Sequence, residues 1–219
     1  MISVEIYDQL ARLTKAISSP RRLELIDLLS QREYPVEELA GLSGMSVANT
    51  SRHLQALKGA RLVAVRRDGL YARYRLADPA VFTLWQAVRD LGERRLATLR
   101  EMVAIQFAER QSEPAVRIPE LKRRLEEGTV VVIDARPERE FMAGHIAGAV
   151  SLPVDELEAR LHVLPNDQEV VAYSRGPYCS YSDQAVAALR ANGFRARRLA
   201  VGFPDWRAAG LPIEGAATP

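Results

Sequence analysis

The chain has 219 residues, enough for two small domains. Its apolar share of 47% and charged share of 26% are ordinary for a globular protein, and no apolar run approaches the roughly 18–20 residues that a membrane helix needs. The net charge of +2 is uneven: residues 1–110 hold 17 Lys and Arg against 13 Asp and Glu, whereas residues 111–219 hold 13 against 15, so the positive excess that a phosphate-binding module needs lies in the first half.

The N-terminus, MISVEIYDQLARL, carries acids and an amphipathic rhythm, not a basic start followed by an apolar core. That pattern lacks a secretory signal and points to a cytoplasmic protein with no membrane partner. Leu10, Leu13 and Ile17 recur at helical spacing, and Ser18-Ser19-Pro20 ends one helix and opens the next, with Ser19 as cap and Pro20 at the first helical position. Leu23, Leu25, Ile26, Leu28 and Leu29 line that second helix. A short helix is predicted over Val36 to Ala40, ended by Gly41, and Ser46 caps another whose Leu54 and Leu57 face inward. After Gly59 the period becomes two, through Leu62 and Ala64, then Arg66-Arg67-Asp68-Gly69, then Tyr71, Tyr74 and Leu76, which reads as a hairpin with Asp-Gly at the turn. Residues 79–109 keep one apolar rhythm and predict a single long amphipathic helix.

Residues 110–117 (RQSEPAVR) are polar, contain Pro114 and break that rhythm, as a linker does. Beyond them helix and strand alternate. Leu121 and Leu125 mark a helix, Thr129 to Ile133 and Glu169 to Tyr173 are continuous apolar runs suited to strands buried on both faces, Ser182 to Asn192 is a helix ended by Gly193, and Arg197 to Val201 is a third strand. The alternation predicts a parallel sheet with helices on both sides.

The segment from Val36 to Arg61 has the spacing of helix, tight turn (42–45), helix. Its second helix sets Ser46, Asn49, Thr50, Arg52 and His53 opposite the Leu54 and Leu57 stripe, short polar and basic groups that reach base edges and phosphates. Arg66 and Arg67 at the hairpin tip, with Arg73 returning, form a basic wing. Taken singly, each of these is an ordinary solvated feature; in this order they favour double-stranded DNA. The order of elements, carried by ISSPRRLELIDLLS (17–30), VEELAGLSGMSVANTSRHLQALKGARLV (36–63) and RRDGLYARYRL (66–76), resembles the ArsR/SmtB family of winged-helix repressors over about residues 5–108. The resemblance implies a homodimer that reads a pseudo-palindromic operator, with Ile6, Leu10, Leu13, Leu91, Leu96 and Leu99 as interface candidates on the first and last helices. Many members sense metals through cysteines near the third helix or Asp and His pairs on the final one. This chain has neither, so no metal site is expected.

In the second half, VVVIDARPEREFMAGHIAGAVSLP (130–153) carries Asp134, Arg136, Glu140, Phe141, Gly144, His145, Ile146, Gly148 and Ala149. EVVAY (169–173) then leads into SRGPYCS (174–180), and the chain closes with GFPDWRAAGLPIE (202–214). Over about residues 117–215 this resembles the rhodanese family. The resemblance places a nucleophilic cysteine directly after the strand, in a loop whose inward N–H groups and following helix dipole favour thiolate and let it carry a sulfane sulfur. Here that position is Ser174, with Arg175, Gly176, Pro177, Tyr178 and Ser180 forming the anion-binding loop and Cys179 as a resolving or sensing thiol. Serine cannot hold a persulfide, so ordinary sulfurtransferase turnover is expected to be lost. Either Ser174 is an engineered replacement of a cysteine, or a natural regulator has moved its sulfur chemistry to Cys179. Cys179 as an inert thiol is an equal reading. A phosphatase of the same fold needs Arg six positions after its cysteine, and position 180 is Ser. His145 is expected to pack and bond locally, and Asp134 and Arg136 to brace loops.

The fold expected is therefore multidomain: residues 1–109 a mainly α winged helix-turn-helix domain for DNA binding and dimerisation, 110–117 a linker, and 118–219 an α/β rhodanese-like domain with a parallel sheet. The function expected is transcriptional regulation, as a repressor that senses a small sulfur species, with no cofactor. The alternatives are a sulfurtransferase fused to an autoregulatory DNA-binding domain, and a non-catalytic docking module.

Overall fold

The computed structural model describes residues 3–69, 71–108, 110, 114–165 and 167–215. Residues 109 and 111–113 of the predicted helix end and linker, residue 70 of the hairpin and residues 216–219 lie outside that set. The chain forms two compact units, residues 1–91 and 92–219, and no described helix is long and apolar enough to cross a membrane.

The first unit runs α1 (Val4–Ile17), α2 (Pro20–Leu29), β1 (Tyr34–Pro35), α3 (Val36–Ser43), α4 (Val47–Gly59), β2 (Val63–Asp68), β3 (Tyr71–Leu76) and α5 (Pro79–Arg95), the last of which continues past its boundary. Leu25, Ile26 and Leu29 of α2, Leu39 of α3, and Leu54 and Leu57 of α4 converge on one core closed by Val63 and Tyr74 of the sheet. Their i, i+3, i+4 spacing is what brings them to one side of each helix. Three local features depart from the expectation. Helix α3 passes through Gly41 and ends at Gly44, whose φ of 64° is the left-handed C-cap that glycine adopts without strain. The hairpin gains a third strand: β1 pairs antiparallel with β3, Tyr34 opposite Tyr74. The predicted helix 79–109 is two helices, broken at Leu96, where the backbone is extended.

The second unit contains α6 (Ala97–Gln106), α7 (Ile118–Glu126), β4 (Val130–Asp134), α8 (Glu138–Ala143), β5 (His145–Ile146), β6 (Val150–Ser151), α9 (Leu157–Arg160), β7 (Glu169–Tyr173), α10 (Tyr181–Ala191), β8 (Ala196–Arg198), α11 (Phe203–Ala208) and β9 (Ile213–Glu214). Strands β6, β4, β7 and β8 lie in that order and pair in parallel. The strand period of two divides their side chains between two cores. Val130, Val132, Val171 and Tyr173 pack with Leu121, Phe203 and Trp206. Ile133, Val170 and Ala172 pack on the other face with Leu157, Val186 and Leu189. The third predicted strand is shorter than expected; after β8, Leu199 forms an isolated parallel bridge with Val116. Val116, inside the segment read as a linker, is fully buried in the first of these cores.

Candidate functional site

In the first unit the candidate DNA-reading surface is α4 and the wing. Ser46 caps α4, its hydroxyl accepting from the Asn49 N–H at 3.3 Å. Ser46 and Arg52 are exposed, and Asn49 and His53 are half-buried. Thr50 departs from the expected reading surface: it is fully buried, and its hydroxyl donates to the Ser46 carbonyl at 3.0 Å. The reason was present in the spacing, since Thr50 stands four residues before Leu54 and seven before Leu57, on the same helical stripe. The exposed side of α4 carries residues that the sequence reading passed over, Val47, Ala48 and Gln55.

His53 is held below the ordinary histidine value by partial burial and by the positive charges of Arg22, Arg52 and Arg21. The N-terminal turn of α2 thus adds two arginines to the electropositive surface around α4, a contribution that no linear motif marks. At the wing, Arg66 and Arg67 are exposed on β2 and Arg73 is half-buried on β3. Arg66 is engaged: its Nε and Nη2 donate to Glu33 Oε2 at 3.0 and 2.9 Å, and Arg75 stands 3.6 Å from the same carboxylate. The interface candidates Ile6, Leu10, Leu13, Leu91 and Leu96 are all exposed, and Leu99 is half-buried. Val4, Tyr7, Met102 and Ile105 are exposed apolar residues on the same helices.

In the second unit, β7 delivers the chain into the loop 174–180 and α10 leads it away. Ser174, at the head, is 2% exposed, and its hydroxyl donates to Ser182 Oγ at 3.3 Å. Cys179 is half-buried, and its N–H donates to the Gly176 carbonyl at 3.1 Å, closing a turn across the loop. The predicted loop residues are therefore contiguous around one enclosed head.

The signature residues before them act as braces. Arg136 and Asp134 form a fully buried pair at 2.6 Å. Burial opposes the charge on Arg136, and the Asp134 carboxylate beside it outweighs that opposition, holding the guanidinium well above its ordinary value. Tyr173, the residue before Ser174, donates its hydroxyl to Asp134 Oδ2 at 2.6 Å and accepts from the Ile146 N–H at 3.2 Å. Burial, with the adjacent Asp134 charge, pushes the Tyr173 phenol well up, so it remains a donor. Glu140 takes the Arg175 Nε at 2.9 and 3.0 Å, which turns that side chain toward α8. His145 bonds the Phe141 carbonyl through Nδ1 at 2.9 Å and stacks on the Phe141 ring at 3.6 Å, a local role.

Gly202 approaches the loop from the other side. A Cβ there would stand 2.2 Å from the Arg175 carbonyl oxygen, and the next N–H, of Phe203, donates to the Ser174 carbonyl at 3.1 Å. Beside the loop, Tyr181 and Gln184 line a cleft of about 500 Å³ shared with Ala135, Pro137, Glu138, Asp155 and Glu156. Its three carboxylates make it a poor host for an anion.

The geometry agrees with comparisons to known proteins. Residues 19–65 match the family of bacterial regulatory proteins, arsR family, and residues 118–209 match the rhodanese-like domain. Over 214 residues the chain is 41% identical to the HTH-type transcriptional regulator Rv0324 of Mycobacterium tuberculosis, covering 97% of this chain and 93% of that protein. The chain belongs to the ArsR family of transcriptional regulators and carries a rhodanese-like domain. Its winged helix-turn-helix is the DNA-binding part of this ArsR-family regulator. Among solved structures, it is 37% identical to the homodimeric winged helix-turn-helix DNA-binding domain of Mb0332 from Mycobacterium bovis, with a TM-score of 0.41 and coverage of 45% of this chain and 95% of that one. It is 32% identical to the rhodanese-like domain of the Alr3790 protein from Anabaena sp., with a TM-score of 0.43 and coverage of 48% and 80%.

Proposed function

We propose that this ArsR-family regulator is a homodimeric repressor of a pseudo-palindromic operator, and that the loop 174–180 of its rhodanese-like domain senses a small sulfur species. The observation that supports the reading is the enclosure of Ser174 at the head of the loop, 2% exposed and opposite the Ser182 hydroxyl. Dimerisation follows from the exposed apolar residues of α1, α5 and α6, which a second copy would bury. Two copies of α4 would then present Asn49, Arg52, His53 and Gln55 to half-sites about one helical turn apart.

With Ser174 at its head, the loop binds a sulfur oxyanion without covalent change. In the Ser174→Cys form, the thiolate attacks the sulfane sulfur of thiosulfate, the S–S bond breaks, sulfite leaves, and a persulfide remains. After that persulfide takes a proton from water, attack by the Cys179 thiolate on its inner sulfur forms a disulfide and expels hydrosulfide. The test is intact-protein mass spectrometry after polysulfide treatment, beside DNA titration with the chain's own upstream region, for both forms. Ser174→Cys should gain sulfur and change its DNA affinity, while the chain with Ser174 gains none at that position. A Ser174→Cys form that takes no sulfur and binds DNA equally with and without polysulfide overturns the reading and favours docking. Thiosulfate-to-cyanide turnover in Ser174→Cys, with no effect on DNA binding, favours the enzyme instead.

A further inference from the structure

We infer that Arg110 is a latch that couples the conformation of the loop 174–180 to helix α6. The guanidinium of Arg110 makes four hydrogen bonds to this loop and the turn after it. Nε and Nη2 donate to the two oxygens of Asp183, at 2.8 and 2.6 Å. Nη1 donates to the Pro177 carbonyl at 2.5 Å, and Nη2 donates again to the Cys179 carbonyl at 3.1 Å. The fork geometry of arginine allows one side chain to read a carboxylate and two carbonyls at once. The group is only 11% exposed, and it lies over the Phe107 ring, 3.5 Å from its centroid. The Arg110 N–H donates to the Phe107 carbonyl, so the latch grows directly from the end of α6.

Two further features make this grip sensitive to the loop. Asp183 serves two cations, because Arg198 stands 3.7 Å from the same carboxylate; burial and the Arg110 charge both push the Arg198 guanidinium down. Asp183 accepts two of the five Arg110 N–H groups, and the carbonyls of Pro177 and Cys179 accept two of the others. If the loop shifts, buried N–H groups lose their acceptors. Tyr178 donates its hydroxyl to Glu93 Oε1 at 2.8 Å. Glu93 lies in the last turn of α5, before the break at Leu96, so loop residues 177–179 are tied to the chain both before and after α6. Helix α6 has no buried residue of its own, and its Met102 and Ile105 are largely exposed. Within one protomer α6 buries no residue completely, so polar ties carry a larger share of its local stability. For its biological use the inference rests on the sulfur-responsive reading of the loop: a sulfur event there would reach a helix that carries candidate dimer-interface residues.

The test is hydrogen exchange on the full chain, without ligand, for the parent, Arg110→Ala, Arg110→Lys and Glu93→Ala. Arg124→Ala serves as control, since it breaks a similarly buried ion pair with Glu169 elsewhere in the same unit. In Arg110→Ala, amides of residues 177–183 and of 97–106 should both exchange about 10-fold faster. Arg110→Lys should fall between, because an ammonium keeps the Asp183 pairing and cannot reach both carbonyls. Arg124→Ala should leave both segments within about twofold. Faster exchange in the loop with none in α6, or no change in either, overturns the latch. Should Arg110→Ala fail to fold, Arg110→Lys and Glu93→Ala decide by the same criterion. Thiosulfate titration of the parent reports on the sulfur reading separately, so a negative titration with coupled exchange retires that reading and leaves the latch standing.

Discussion

Replacing Gly202 by alanine should displace the loop 174–180. The backbone at Gly202 is extended, with φ of −104°, so alanine meets no conformational penalty there. The whole effect is steric. The added Cβ would lie 2.2 Å from the Arg175 oxygen, 2.3 Å from its carbonyl carbon and 2.5 Å from the Gly176 nitrogen, where contacts below 3.0 Å are essentially never seen. The obstacle is backbone, which cannot rotate away as a side-chain tip can. The peptide between Arg175 and Gly176 must therefore retreat by at least the difference between 2.2 and 3.0 Å. That movement pulls against the Phe203-to-Ser174 hydrogen bond and the Glu140–Arg175 pair. Overpacking of a filled interior costs about 1–3 kcal/mol, and the double anchorage argues for the upper end. For a domain of this size, about 2–3 kcal/mol lowers the midpoint by roughly 10–20 °C. Calorimetry of the full chain should show this fall in the rhodanese-like transition alone. Gly176→Ala is the matched control: its Cβ meets nothing within 4 Å, so its midpoint should hold or rise slightly. A Gly202→Ala protein that melts within about 2 °C of the parent would refute the reasoning.

Arg67→Ala should weaken binding to all DNA sequences alike and reduce the salt slope by about one unit; Arg66→Ala should reduce it less, because Glu33 already engages that guanidinium. A change of base preference in Arg67→Ala, read by competition titration, would contradict the placement of the wing. DNA affinity should rise as pH falls below the ordinary histidine range, since partial burial and the neighbouring arginines hold His53 below it and a polyanion favours the protonated ring. His53→Gln should flatten that profile, and an unaltered profile would remove His53 from the interface. Asp134→Asn leaves the fully buried Arg136 charge without its carboxylate and should cost about 3–5 kcal/mol. Urea unfolding should show an early rhodanese-like transition, with DNA binding by the first unit retained.

The sequence by itself determined most of the local structure, because apolar spacing, caps and turn residues act over a few positions. Ser46 before Val47, the apolar runs that became β4 and β7, and Gly193 after α10 are signals of that kind. The residues of the loop 174–180 are consecutive and so also legible in the sequence. Tertiary structure decided what depends on partners distant in the chain. The break at Leu96 escapes a periodic reading because the apolar rhythm runs on across it; it is the packing of Leu99 within 3.1 Å of where a Gly92 Cβ would stand that shows how tightly the two helices fold together there. Thr50 carries the composition of a DNA contact, yet the stripe it shares with Leu54 and Leu57 turns it into the core. The ties of Arg110 to Pro177, Cys179 and Asp183 join positions about 70 residues apart. No local spacing encodes such contacts; they exist because the fold removes a guanidinium from water, and it must then bond whatever acceptors the fold brings within reach.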